Sequence, residues 1–97
     1  MNAGPELARV TNGWVVRWEP TADTHRVALL RTVTDDGILQ LEQIRTHHRG
    51  VSAVATDVCV CDLPDACREA LRERGFTPAK VRDAGRRAVA ACRRVVA

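Results

Sequence analysis

HRVALLRTVTDDGILQLEQIRTH, residues 25–47, is the stretch on which the fold turns. Its first arm, His25 to Thr34, is rich in β-branched side chains and reads as a strand. The second arm, from Ile38, has two readings. As a helix, Ile38, Leu41, Ile44 and Arg45 would form a stripe capped by Asp36. As a strand, it would fold back on the first arm across Asp35-Asp36-Gly37. That tight-turn signal decides for the strand, and so for an antiparallel pair at the centre of the chain.

Upstream, Asn12-Gly13 separates two short arms and favours the positive φ angles of a hairpin turn. In the arm that follows, Trp14, Val16 and Trp18 share one face, and Val15, Arg17 and Glu19 share the other. Residues 19–24 read as a loop. Downstream, Arg49-Gly50 makes a turn into VSAVATDVCVC, residues 51–61, a further strand in which Asp57 is the single charged group. Its second half is apolar on both faces, the pattern of a strand covered on both sides.

The hydrophobic period then changes. Asp62, Pro64 and Asp65 suit a helix start, and Ala66, Cys67, Ala70 and Leu71 make its apolar stripe. Gly75 is placed to stop that helix in the left-handed conformation, with Phe76 supplying the accompanying hydrophobic contact. Thr77-Pro78 then predicts a second helix start. Over residues 78–96, Val81, Ala84, Ala88, Val89, Cys92, Val95 and Val96 fall in one arc, with Lys80, Arg82, Arg86, Arg87, Arg93 and Arg94 outside it. The expected fold class is α+β: an antiparallel four- to five-stranded β-meander followed by two C-terminal α-helices packed on one face of the sheet. Residues 1–5 read as a flexible leader and 6–97 as one domain, which is all that 97 residues allow. The central strand carries Val27, Leu29 and Val33 on one side and Ala28 and Leu30 on the other. Two helices cover one face, so a homodimer or a protein partner is expected on the second.

Composition narrows the function. Apolar residues are 45% and charged residues 28%, which is globular and not disordered. No apolar run is long enough to span a membrane, and no basic segment followed by an apolar run marks a secretory signal. A cytoplasmic protein without membrane partner is expected. Residues 1–77 hold nine arginines against eleven acidic groups, whereas residues 78–97 hold six basic groups against Asp83 alone. The positive balance therefore lies in the last segment and points to an anionic partner. The plainer explanation is genomic: fourteen arginines to one lysine is the bias of a GC-rich, bacterial genome.

The chemistry-bearing residues are few. Cys59, Cys61, Cys67 and Cys92 lack the paired knuckles of a zinc site. Cys59 and Cys61, two apart on a strand, would stand about 6.6–7 Å from each other. They read as packing residues, with neither a disulfide framework nor a metal expected. His47 and His48, beside Arg45 and Arg49, read as a polar hairpin tip able to touch phosphate. No nucleophile elbow, zinc-protease motif or phosphate loop is present, so neither catalysis nor a cofactor or small-molecule substrate is expected. The leading reading is a small non-enzymatic nucleic-acid-binding or regulatory protein. It would offer Arg82, Arg86, Arg87, Arg93 and Arg94, with Arg45 and Arg49, to phosphates. The alternative is a protein-interaction module such as an inhibitor, immunity or adaptor protein, using the apolar sheet face at Trp14, Val16 and Trp18.

Overall fold

The computed structural model describes residues 4–80. Five strands form an antiparallel meander in chain order: β1 Glu6–Val10, β2 Gly13–Thr21, β3 Thr24–Thr32, β4 Ile38–His48 and β5 Val51–Ala55. A 3-10 turn at Val60–Asp62 and helix α1, Asp65–Glu73, follow. Strand β6, Thr77–Ala79, then returns to pair parallel with β4. The described residues are thus an α+β arrangement with one helix.

The arm from Ile38 is a strand, paired with β3 along its length, with β5 through Ile44–His48 and with β6 through Ile38–Gln40. The helix-like spacing of its apolar residues has a local cause. Leu29 pairs with Gln43 while Leu30 pairs with Leu41, so Glu42 is an extra residue in a β-bulge. The bulge lets Leu39, Leu41 and Ile44 be buried together although the last step is three residues.

Turn chemistry follows the sequence closely, with one shift. Val10 pairs with Gly13, so the first hairpin loop is Thr11-Asn12 and not Asn12-Gly13. Asn12 takes the positive φ, at 65°. Arg49 and Gly50 both have positive φ, 50° and 82°, as a type I′ hairpin between β4 and β5 demands. Gly75, at φ 87°, ends α1, and the Phe76 amide donates back to the Leu71 carbonyl at 2.9 Å.

Two expectations are corrected. The strand expected over 51–61 ends at Ala55, and Val58 and Cys59 turn inward to be buried. Their two-sided apolar pattern reflects entry into the core, not a covered strand. Thr77-Pro78 does not begin a helix either. The Thr77 amide donates to the Gly37 carbonyl at 2.8 Å, Pro78 stands opposite Leu39, and the chain runs extended as β6. A three-residue edge strand tolerates proline. The rest of the expected second helix, residues 81–96, lies outside the described residues.

One face of the sheet holds the core. Val16, Ala28, Leu30, Leu39, Leu41 and Ile44 meet Val58, Leu63, Cys67 and Leu71 from the crossover segment and α1. Each fully buried Leu here stabilises the fold by roughly 1.5–3 kcal/mol relative to exposure. Trp14, Trp18 and Phe76 are half-buried at the margins of this core. Among the described residues no element covers the opposite face.

Candidate functional site

The pairing register places an ordered set of side chains on that open face. Arg17, Val27, Arg45 and Val54 make one row across β2, β3, β4 and β5. The next row is Val15, Leu29 and Gln43. On the other side of the Val27 row lies His25, His47 and Ser52. Alternation along each strand puts all three rows on one face. Its centre is aliphatic and half-buried, and two arginines and two imidazoles surround Val27.

The two imidazoles stack, with centroids 4.4 Å apart and planes 20° from parallel. His47 Nδ1 and Ser52 Oγ share a hydrogen bond at 2.7 Å, the proton's position following the tautomer. Partial burial, and after it the positive charges of His25, Arg45 and Arg17, hold His47 below its ordinary value of 6.5. Proton uptake there is opposed by charge of the same sign, the condition in which an anion is welcomed. Arg17 is partly occupied by Glu19, at 3.2 Å. Arg45 is exposed and makes no hydrogen bond or ion pair among the described residues.

The other expected site residues are spread differently. Arg49 sits at the tip of the β4–β5 hairpin, and its Nε and Nη2 both donate to Asp23 Oδ2, at 3.3 and 3.1 Å. That pair ties two neighbouring hairpin tips and separates Arg49 from Arg45. Trp14, Val16 and Trp18 lie on the helix-covered face. Val16 has no exposed surface and can touch no partner. Trp14 leans on Phe76, with centroids 5.3 Å apart, and the Arg74 guanidinium lies over its ring. Trp18 borders a cleft of about 280 Å³ together with Arg26, Thr46 and Asp62. Arg82, Arg86, Arg87, Arg93 and Arg94 are outside the described residues.

His25 and Arg17 were not singled out in the sequence. The available signal was spacing: 15–17, 25–27–29 and 43–45–47 alternate on strands whose registers the turns determine. His48, adjacent to His47, points to the opposite face and bonds Thr24 Oγ1.

The cysteine expectation is also corrected. Cys59 and Cys61 form a disulfide, with Cα atoms 5.0 Å apart. The chain has left the extended conformation there for the 3-10 turn, which shortens the separation. Cys59 caps this turn, and its own amide donates to Asp62 Oδ2 at 2.7 Å. Cys67 is a buried thiol in the core, pushed up to about 11 by desolvation. Among the described residues no three His, Cys, Asp or Glu side chains converge as metal ligands. Nor is any described helix long and apolar enough to cross a membrane. Comparison with protein-family models, curated proteins and solved structures finds no match for this chain.

Proposed function

We propose that this chain is a small, non-enzymatic nucleic-acid-binding protein whose open sheet face receives phosphates. The observation that carries the reading is Arg45, an exposed guanidinium without a partner among the described residues, set among Arg17, His25 and His47. Arg17 and Arg45 stand two strands apart, roughly 9–10 Å. Guanidinium groups hold phosphate oxygens bidentately. The face offers aliphatic side chains and no aromatic ring other than imidazole. Its contacts are therefore with the backbone, not a base-stacking platform. The arginines at 82, 86, 87, 93 and 94 extend the same charge along the chain.

Fluorescence anisotropy with duplex DNA, single-stranded DNA and RNA tests this at low salt. Binding should weaken steeply as salt rises, and Arg45→Glu should make the log–log slope shallower by roughly 0.9 for duplex or 0.7 for single strands. Loss of affinity for all three polymers in the variant, with the circular dichroism spectrum unchanged, is the expected result. Absence of binding to any of them by the unaltered protein rejects the proposal.

A second reading rests on the aliphatic centre of the same face. Val15, Val27 and Leu29 form a half-buried strip that a partner protein, or a second copy, would cover. Leu29→Asp would then release a co-purifying protein while sparing phosphate binding at Arg45.

A cytoplasmic location belongs to the proposal too. Reducing pools in that compartment keep most thiols free. Mass spectrometry after rapid alkylation of native extracts reports which state Cys59 and Cys61 occupy there.

A further inference from the structure

The disulfide between Cys59 and Cys61 encloses a single residue, Val60. The entropy that a cross-link removes from the unfolded chain grows with the length it encloses, so this bond staples almost nothing. Other contacts hold the turn. The Cys59 amide donates to Asp62 Oδ2 at 2.7 Å, the Asp62 amide to the Cys59 carbonyl at 2.8 Å, and the Leu63 amide to the Val60 carbonyl at 3.0 Å. Val58 and Leu63, on either side, are anchored in the core. Breaking the S–S bond requires none of these contacts to part, and it leaves two thiols held side by side. A disulfide that adds little to stability and re-forms without rearranging the chain is suited to exchange.

The two cysteines are not equivalent. Cys59 is 4% exposed, whereas Cys61 is partly open to solvent. An incoming thiolate therefore reaches Cys61 first. The Cys61 amide donates to Cys59 Sγ at 3.2 Å. A donor at that position stabilises the charge that gathers on Cys59 as the bond parts. Cys67 is a poor competitor for either sulfur. It is buried, and its thiol, pushed up to about 11 by desolvation, stays protonated.

We infer that Cys59 and Cys61 form a thiol–disulfide exchange site that accepts two electrons from a dithiol, with Cys61 the attacked sulfur and Cys59 the leaving and resolving one. A thiolate of the dithiol attacks Cys61 Sγ. The donor–Cys61 bond forms, the Cys59–Cys61 bond breaks, and its electron pair leaves on Cys59 Sγ, which takes a proton from water. The donor's second thiolate then attacks the donor sulfur bound to Cys61. The donor closes its own disulfide, and Cys61 departs as a thiolate and is protonated in turn. The same steps reversed, with an oxidised donor, restore the bond. A monothiol carries out the first step alone, and Cys59 then expels it by attacking Cys61 again. The site belongs to the crossover between β5 and α1 and shares no residue with the face offered to phosphates.

Glutathione and dithiothreitol, applied to the unaltered full chain, test the assignment. After brief exposure to reduced glutathione, acid quenching and alkylation, peptide fragmentation should find glutathione on Cys61 and the alkyl group on Cys59. This pattern should exceed its reverse by roughly tenfold or more. Dithiothreitol without denaturant should reduce the pair completely. Its replacement by oxidised glutathione should restore the bond, with the circular dichroism spectrum unchanged throughout. Cys59→Ser should retain glutathione on Cys61, which the unaltered chain releases, and Arg45→Glu should alter none of these results. Glutathione found chiefly on Cys59, or equally on both cysteines, overturns the assignment. A bond that resists dithiothreitol until urea unfolds the chain also overturns it, and so does a pair that stays reduced in oxidised glutathione.

Discussion

A methyl group on Gly13 would lie 2.1 Å from the Leu30 carbonyl oxygen, far inside contact distance. Backbone and not a flexible side chain is in the way, so β2 and β3 would have to part. Gly13→Ala should destabilise the protein by about 2–3 kcal/mol, read as a lower denaturation midpoint with an unchanged slope. The glycine was visible in the sequence, yet the reason for it was misplaced: Asn12 makes the turn, and Gly13 admits the neighbouring strand. A pairwise turn rule cannot separate the two roles, because the obstruction comes from a residue seventeen positions on. His47 gives a second test at this scale. Its folded proton affinity is lowered, so the unfolded chain binds the proton more readily. The associated stability is present above about 6.5 and is lost as pH falls below that value and on through the lower folded one. Thermal midpoints should therefore decline on acidification, and His47→Gln should reduce that decline. Phosphate binding should run the opposite way, strengthening as His47 gains its proton and losing this pH dependence in the same variant.

Among the elements, β4 shows what was legible and what was not. Its existence followed from Asp35-Asp36-Gly37, and the competing helical stripe turned out to be the signature of a bulge at Glu42. A bulge inserts one residue and so converts a two-residue period into a three-residue step, which single-chain periodicity cannot distinguish from a helix. Deleting Glu42 would throw Ile44 out of the core or reverse the outer part of β4, and the chain should expose apolar dye-binding surface. Helix α1 was readable from Pro64 and Asp65 at its start, its stripe and Gly75, and it buries Cys67 and Leu71 as the stripe required. Leu71→Ala should cost about 2–5 kcal/mol, measured by urea unfolding, since the site is fully buried between helix and sheet. Strand β6 was not readable. Thr-Pro is a helix-start signal, and it was overridden by a docking partner forty residues earlier, Gly37.

At the scale of the whole molecule, the sequence indicated two sheet faces of unequal cover and grouped Trp14, Val16 and Trp18 on one of them, without showing which face the helix takes. Trp14 and Trp18 border the aliphatic core under α1 and the crossover, and the open face belongs to Val15, Val27, Leu29 and the basic groups around them. Pattern alone shows that a strand has two sides; which side receives a helix depends on how the crossover after β5 bends. Variants on the two faces should accordingly separate. Trp18→Ala should lower stability, whereas Arg17→Ala should leave unfolding within about 0.5 kcal/mol and act on ligand affinity. The chain order of these layers matters during synthesis. The hairpins β1 to β5 are local and precede α1 and β6 in the chain. A nascent polypeptide halted near Ala55 would thus own a nearly complete meander with Leu30, Leu39 and Leu41 still bare. Until the last third emerges from the ribosome, those leucines are a natural landing place for chaperones, and premature termination there would yield a sticky fragment instead of a small working domain.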